Sequence, residues 1–144
     1  MKPWQLATMT PLTELVVTIQ RDSDIIAARQ KGREMAVEAG FKGSDLTLIA
    51  TAISEVARII IVYAKQGEIA LSLASLGSRR GIVVIARDDG PGIANIELAM
   101  RDGFSSGKSL GMGLPGAKRL MDEFEIVSEP GKGTNVTMKK WTRK

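Results

Sequence analysis

The chain has 144 residues, with 20 Lys plus Arg against 16 Asp plus Glu, a formal net charge of +4, and neither cysteine nor histidine. Without cysteine there are no disulfides and no thiol chemistry, and without histidine there is no Ser-His-Asp triad and no histidine general base. A zinc site would need a shell of carboxylates only. A chain of this length is expected to form a single domain, residues 1–144.

The N-terminus and the distribution of charge bear on location and partners. The first ten residues, MKPWQLATMT, contain no apolar run long enough for a signal peptide, and no later segment is expected to span a bilayer. The basic residues are scattered except in the tail KKWTRK, where Trp141 is the single aromatic residue, so nucleic-acid binding is not indicated. We therefore expect a cytoplasmic protein with no membrane or nucleic-acid partner.

The first predicted elements are a strand and a helix. Residues 13–21, TELVVTIQR, are rich in β-branched side chains and predict a strand. Ser23 or Asp24 can cap a helix over residues 25–39. Gly40 is expected to end this helix as a left-handed C-terminal cap.

A second predicted helix covers residues 45–64 and opens at Ser44. Apolar residues recur at helical spacing on almost every side of it, so the helix is expected to lie deep in the protein. An acidic residue in the middle of such a helix is either paired or functional. Glu55 has Arg58 three residues later, at a spacing where the two side chains can pair, but Glu55 facing a ligand would be a usable general base.

The second half of the chain predicts two hairpins with helices between them. The elements are, in chain order, strands over 68–76 and 82–87 around the turn 77–81, a short helix over 96–100, a helix over about 114–121, and strands over 124–129 and 134–141. The sum is an α+β fold, a two-layer α/β sandwich. Its sheet is expected to be mixed but mostly antiparallel, with about five strands and with the helices on one face.

The glycine-rich stretch GFSSGKSLGMGLPG, residues 103–116, is similar to two phosphate-binding loops and fits neither. A P-loop needs a glycine five positions before Gly107, where this chain has Asp102. A dinucleotide fingerprint must leave a strand inside a βαβ unit, and FSSGKSL does not predict a strand. The glycines still free the backbone, and a helix N-terminus that follows them favours an anion. An ordinary surface loop is the open alternative.

The segment DDGPGI, residues 88–93, follows a predicted buried strand. Gly90 and Gly92 would allow a close backbone approach. Asp88 would need hydrogen-bond donors if buried, and the exocyclic amine of adenine is one such donor. An ordinary acidic turn is the alternative.

Four motifs together resemble the GHKL superfamily of gyrases, histidine kinases and MutL proteins, which share the Bergerat ATP-binding fold. They are Glu55 on a buried helix, Asp88-x-Gly90-x-Gly92, Gly111-x-Gly113-Leu114 and Gly131-x-Gly133-Thr134. The stretches SEVAR, GMGLPGAKRLMDEFEI and SEPGKGTNVTMKKW are, within that superfamily, most similar to the serine/threonine switch kinases of bacterial stressosomes. The ordered motifs cover nearly the whole chain.

This resemblance implies ATP and Mg²⁺ as cofactors and a role for each motif. Glu55 would be the general base, Asp88 would hold the adenine amine, and residues 107–113 would close over the phosphates. The implied nucleotide-binding residues are Asp88, Gly90, Gly92, Ile93, Lys108, Gly111, Met112, Gly113, Leu114 and Thr134. The implied partners are STAS-domain scaffold and antagonist proteins, which such kinases phosphorylate, and a PP2C-type phosphatase, which they activate after release.

One position departs from the superfamily pattern. The helix motif there runs Glu-x-x-x-Asn, and the asparagine oxygen binds Mg²⁺, whereas the fourth residue after Glu55 is Ile59. Four residues apart on a helix share one face, but isoleucine offers no oxygen to a metal that needs oxygen ligands. Three interpretations follow: a kinase with weakened catalysis that holds Mg²⁺ through phosphates and water, a pseudokinase that keeps partner binding, or a substitution introduced into the chain.

Overall fold

The computed structural model describes residues 14–92, 100 and 113–143, and the structural statements below concern these residues. In chain order the elements are β1 (Glu14–Ile19), α1 (Asp22–Ala39), α2 (Ser44–Ile59), a π-helical turn (Ile60–Ala64), β2 (Gly67–Leu76), β3 (Arg79–Asp88), α3 (Gly113–Leu120), β4 (Glu123–Glu129) and β5 (Gly133–Trp141). The helices and strands agree with the predicted segments, except that α1 and β3 each begin three residues earlier and the last five residues of the second predicted helix form the π-helical turn. The short helix predicted over 96–100 lies, apart from its last residue, outside the described residues.

The five strands form one sheet in the order β1-β2-β3-β5-β4. The α+β class is confirmed, and all four neighbouring pairs are antiparallel where a mixed sheet was expected. The turn between β2 and β3 is shorter than the predicted 77–81, because Leu76 already pairs with Arg79. Gly77 has a φ of 64°, the left-handed conformation that such tight turns require.

The helices cover one face of the sheet, and the main core lies between the two layers. Successive residues of a strand point to opposite faces, so Leu71 and Val84 point into this core, where both are fully buried. Ile49 and Ile53 of α2 meet them there with no exposed surface. Helix α2 packs between α1 and α3, so it lies deep in the protein, as its apolar pattern predicted.

The two ends of α1 test the predicted caps. The helix begins at Asp22 with Arg21 at the capping position, so neither Ser23 nor Asp24 is the cap. Asp24 lies inside the first turn, where its carboxylate accepts hydrogen bonds from the backbone N–H groups of Gln20 and Arg21 at 2.9 and 3.1 Å. An acidic residue is favourable there because the exposed N–H groups make the helix start positive. The C-terminal cap is confirmed, since Gly40 has a φ of 106°.

The second helical segment passes one test for a membrane span. Residues Ser44–Ala64 are long enough to cross a bilayer and include an 18-residue window with a mean hydropathy of 1.8, so the expectation that no segment could do so is wrong on length and composition. The segment contains Glu55 and Arg58, however, and it packs against α1, α3 and the sheet. Its apolar character fits the core helix of this fold.

The first three residues of the basic tail, 139–141, belong to β5. Trp141 is 6% exposed, and it packs with Ala74 and Val83 in a small cluster on the sheet face away from the helices. Its indole Nε1 donates to the Glu123 carboxylate at 2.6 Å. The one aromatic residue of KKWTRK is therefore engaged within the fold. Lys139 is 3% exposed, and burial lowers the pKa of its ammonium group.

The first residue of β5 approaches the end of β3 very closely. Asp88 pairs with Thr134, which brings Gly133 against the Asp88 backbone with a φ of 104°. A Cβ atom added to Gly133 would collide with the Asp88 carbonyl oxygen and would lie 3.0 Å from the Cα of Asp89. Only glycine satisfies both the conformation and the available space.

We predict that Gly133→Ala lowers the free energy of unfolding by about 3 kcal/mol or more, because it combines a left-handed alanine with a backbone collision. Urea denaturation measures this. Gly77→Ala is the matched control, since Gly77 also has a positive φ but has no atom within 4 Å of an added Cβ. Its loss should be about 1 kcal/mol, the conformational cost alone. Equal losses in the two variants would contradict the close approach.

Candidate functional site

Three side chains line up at one end of the sheet. Asp88, the last residue of β3, lies opposite Thr134 of β5, and Thr134 lies opposite Ser128 of β4. Residues directly opposite one another in a ladder share a face, and here it is the face that the helices cover. Thr134 is 7% exposed, and its hydroxyl lies 2.7 Å from the hydroxyl of Ser128. Sequence reasoning missed Ser128, although strand alternation across the 130–133 turn could have found it.

The Asp88 carboxylate is partly withdrawn from water. Its Oδ1 accepts a hydrogen bond from the Gly90 N–H at 2.9 Å. Burial raises the pKa of Asp88 above its ordinary value and the charge of Asp89 adds to this, while hydrogen bonds from the Gly90 and Thr134 backbone act in the opposite direction. A carboxylate oxygen has two acceptor positions, so Asp88 can accept further hydrogen bonds from a ligand amine.

Two glycines make room around Asp88. A Cβ added to Gly90 would lie 2.5 Å from the Cβ of Ala64 and 2.8 Å from its Cα. A Cβ added to Gly67 would meet the Arg87 carbonyl oxygen and would lie 3.0 Å from the Cβ of Asp88. Ala64 ends the π-helical turn, and such turns are frequent at functional sites. Gly67 is a second residue that sequence reasoning did not assign to the site.

The loop after β3 docks on the turn between β4 and β5. Gly92 has a φ of 80°, and an added Cβ would collide with the Glu129 carbonyl oxygen. The Gly131 N–H donates to the Pro91 carbonyl at 2.8 Å. The Asp88-x-Gly90-x-Gly92 and Gly131-x-Gly133-Thr134 motifs therefore form one structural unit through their backbones.

An open pocket of about 430 Å³ borders Asp88 on the side of β2. Its lining comes from the ends of β1, β2 and β3 and includes Ala64, Gly67 and Gly90, but not Glu55. The two carboxylates that the motifs singled out therefore do not share this pocket.

Glu55 is buried in the helical layer with 6% of its surface exposed. Its Oε2 accepts a hydrogen bond from Nη1 of Arg58 at 3.1 Å, so the predicted i,i+3 pair is present. Its Oε1 accepts a hydrogen bond from the backbone N–H of Gly113, the first residue of α3, at 3.0 Å. Leu114, the next residue of α3, is 2% exposed and belongs to the main core.

Ile59 is the last residue of α2, and its partly buried side chain packs against the main core. It offers no oxygen atom to a metal. In the part of the chain that the structure describes, no cluster of three or more His, Cys, Asp or Glu side chains could hold a metal ion. The described residues therefore contain no ready-made cluster of side-chain ligands for Mg²⁺, and Ile59 supplies none at the expected helix position.

Four residues of the implied nucleotide site, namely Ile93, Lys108, Gly111 and Met112, lie outside the described residues, so their contacts remain predictions. The described members fall into two groups. Asp88, Gly90, Gly92 and Thr134 come together at the end of the sheet. Gly113 and Leu114 lie in the helical layer, and Gly113 contacts Glu55.

Known proteins match most of the chain. The serine/threonine-protein kinase RsbT of Bacillus subtilis is 49% identical over 127 residues, which are 88% of this chain and 96% of the relative. The anti-sigma F factor of Clostridium kluyveri is 34% identical over 102 residues, 67% of this chain and 70% of the relative. The anti-sigma F factor of Caldanaerobacter subterraneus is 38% identical over 99 residues, which are 65% of this chain and 68% of the relative.

A match to a family of ATPases covers the part of the chain from α2 to the end of β5. Residues 44–143 match the family of histidine kinase-, DNA gyrase B- and HSP90-like ATPases. This range begins at the first residue of α2, and it contains Glu55, Asp88, Gly113 and Thr134. From this match and these relatives, the chain belongs to the histidine kinase-, DNA gyrase B- and HSP90-like ATPase family, the GHKL family.

Proposed function

We propose that this protein is an ATP-dependent serine/threonine protein kinase of the partner-switching type. The likeness to a serine/threonine-protein kinase over 96% of that relative's length supports a kinase. The structural observation that carries the proposal is a pair of carboxylates shielded from water, Asp88 at the sheet end and Glu55 beside the start of α3. The Asp88 carboxylate suits recognition of a nucleobase, and the Glu55 carboxylate suits proton transfer near bound phosphate.

The adenine end of the site is built around Asp88. Its carboxylate would accept a hydrogen bond from the exocyclic amine of adenine, and hydrogen bonds to a charged group are stronger than neutral ones. Thr134 would lie on the adenine side, and Gly90 and Gly92 would shape the pocket by the backbone contacts described above. Ile93, Lys108, Gly111, Met112, Gly113 and Leu114 complete the proposed nucleotide contacts.

The transfer end of the site is built around Glu55 and Gly113. The positive N-terminus of α3 and the Gly113 N–H would bind the phosphates. Glu55 would take the proton from the acceptor serine or threonine hydroxyl, whose oxygen forms a bond to the γ-phosphorus as the bond to the β,γ-bridging oxygen breaks. ADP leaves with that oxygen. The step needs no covalent enzyme intermediate.

Mg²⁺ would neutralise charge between the β- and γ-phosphates when it is bound. Because Ile59 supplies no oxygen and the described residues contain no cluster of three or more metal-binding side chains, we assign the ion no protein ligand. Phosphate oxygens and water would hold the ion.

The acceptors we propose are STAS-domain scaffold and antagonist proteins of the RsbS and RsbR kind, and the downstream partner is a PP2C-type phosphatase. These proposals follow from the resemblance to stressosome switch kinases, and the likeness to both RsbT and anti-sigma F factors supports a role in partner switching. We propose a cytoplasmic location on the same grounds.

One observation favours a second candidate function. Ile59 fills the helix position where the superfamily pattern places a metal ligand, and its side chain packs into the core. A pseudokinase that binds STAS partners and activates a phosphatase, with little phosphoryl transfer of its own, would tolerate this residue. Glu55 and the glycines around Asp88 favour the active kinase.

We predict that Asp88→Asn weakens ATP binding by roughly 100-fold or more, because the adenine amine loses a charged acceptor and faces the donors of an amide. The folded protein should be as stable as the parent or more stable at neutral pH. Since burial raises the pKa of Asp88, the ionised carboxylate opposes folding above that pKa. This stability difference should vanish at acid pH, where the carboxyl group is protonated in both the folded and unfolded states.

Isothermal calorimetry with ATP and urea denaturation at several pH values measure the two effects. Asp89→Asn is the matched control, since the neighbouring Asp89 is exposed and should not affect binding strongly. Unchanged ATP affinity in Asp88→Asn would contradict the adenine assignment.

We also predict that Ile59→Asn raises phosphorylation of a STAS-domain partner by roughly tenfold or more in the presence of ATP and Mg²⁺, because an amide oxygen becomes available to the metal. The lost apolar contacts should cost about 1–3 kcal/mol of stability. Transfer of labelled phosphate from ATP measures the rate.

Ile61→Asn provides the matched control, because Ile61 is also partly buried against the main core but is not at the metal position. Its stability should fall without a gain in rate. Equal rates for Ile59→Asn and the parent would mean that residue 59 does not approach the metal or that the metal is dispensable.

A further inference from the structure

Among the described residues, Glu55 is the most buried charged side chain of the helical layer. It is 6% exposed, and both of its oxygens are bonded, Oε2 to Arg58 at 3.1 Å and Oε1 to the Gly113 N–H at 3.0 Å. A buried carboxylate without donors is strongly unfavourable, and these two contacts supply a donor to each of its oxygens. The same contacts take up one of the two acceptor positions on each oxygen, and proton transfer would require one of these oxygens.

The Gly113 contact has the chemistry of an anion site. Gly113 opens α3 with a φ of 67°, and the N–H of a first helical residue has no partner within its own helix. Such N–H groups, together with the positive end of the helix, attract anions. The anion held there in this structure is the side chain of Glu55, which comes from a different helix.

The phosphates of the proposed nucleotide need the same donor. One N–H group makes one strong hydrogen bond, so phosphate and Oε1 of Glu55 cannot both hold it at full strength. A phosphate bound at this N–H would also bring its negative charge beside the Glu55 carboxylate, and like charges repel. Arg58 differs from Gly113, because its side chain belongs to the same helix as Glu55 and is 38% exposed. It can stay with Oε2 after the exchange.

We propose that Glu55 occupies the phosphate position of α3 in the nucleotide-free protein, and that Arg58 is the positioning residue that retains Glu55 when phosphate displaces it. This inference rests on the proposed function. Displacement frees Oε1 from the Gly113 N–H so that it can receive the proton of the acceptor hydroxyl, while Arg58 keeps the carboxylate in place. Oε1 is therefore fully open to the acceptor hydroxyl only when the nucleotide phosphates are bound.

The test is calorimetric titration of the full chain with ATP and, separately, with adenosine. Glu55→Gln keeps the shape of the side chain and removes its charge, while Glu55→Asp keeps the charge but shortens the side chain so that it no longer reaches Gly113. Each variant should bind ATP roughly five- to tenfold more tightly than the parent, which corresponds to losing a charge-assisted competitor. Adenosine has no phosphate, so its affinity should not change.

The Glu55→Asp variant distinguishes the effect of the hydrogen bond to Gly113 from the effect of the negative charge at residue 55. If Glu55→Asp binds ATP as weakly as the parent while Glu55→Gln binds tightly, repulsion alone explains the effect and the proposal is overturned. Unchanged ATP affinity in both variants also overturns it. If the parent chain binds neither ATP nor adenosine, the proposed function is overturned instead. If the parent binds both, the results with the variants bear only on the role of Glu55 and not on the proposed function.

Arg58 is tested by kinetics at saturating ATP with a STAS-domain acceptor. Arg58→Ala should lower kcat by roughly tenfold or more with a much smaller change in the KM for ATP, because the displaced carboxylate is no longer held. Arg58→Lys retains a cation and should restore part of the loss. Full kcat in Arg58→Ala, or no recovery in a folded Arg58→Lys, would show that Arg58 does not position the base.

Discussion

The hydrogen bond from the Gly113 N–H to Glu55 joins residues 58 positions apart in the chain, and it ties the start of α3 to α2. A carboxylate that is 6% exposed needs donors, and Gly113 and Arg58 supply one to each of its two oxygens. Helix α3 therefore starts beside the C-terminal part of α2. The same requirement places the first N–H of α3 and the proposed base within one hydrogen bond of each other.

The sheet end follows a different physical rule, because backbone contacts shape it more than side chains do. Gly90, Gly92 and Gly133 each allow an approach that a Cβ atom would prevent, and these approaches join the loop after β3 to the turn before β5. The result holds Asp88 partly out of water, with its pKa raised by burial. A carboxylate in that position opposes folding at neutral pH, which is the pattern expected when a residue serves a ligand more than it serves stability.

Local patterns predicted the elements well, because strand alternation, helical spacing and the glycines at Gly40 and Gly77 act over a few residues. The motifs also singled out Asp88 and Glu55. What sequence reasoning did not supply depends on contacts between distant segments: the Gly113 partner of Glu55, the contact of Gly90 with Ala64, and Ser128 beside Thr134. The sheet order and its wholly antiparallel pairing are likewise consequences of packing. The change from α- to π-helical geometry after Ile59 has no local signal that we recognise.

The contacts of the site separate nucleotide recognition from phosphoryl transfer. In the proposed function, recognition would rest on Asp88 and on backbone groups, and none of their described hydrogen bonds involves Ile59. Ile59 instead adds apolar contact to the core at the helix position where the superfamily pattern supplies a metal ligand. In the proposed mechanism its cost would fall on the rate of transfer, while the exchange of Glu55 for phosphate at Gly113 would remain. A partner switch needs two states that ATP distinguishes, and that exchange would supply such a difference even where transfer is slow. The proposed kinase and its pseudokinase alternative would then share one binding mechanism and differ in the rate of transfer, according to the side chain at position 59 of α2.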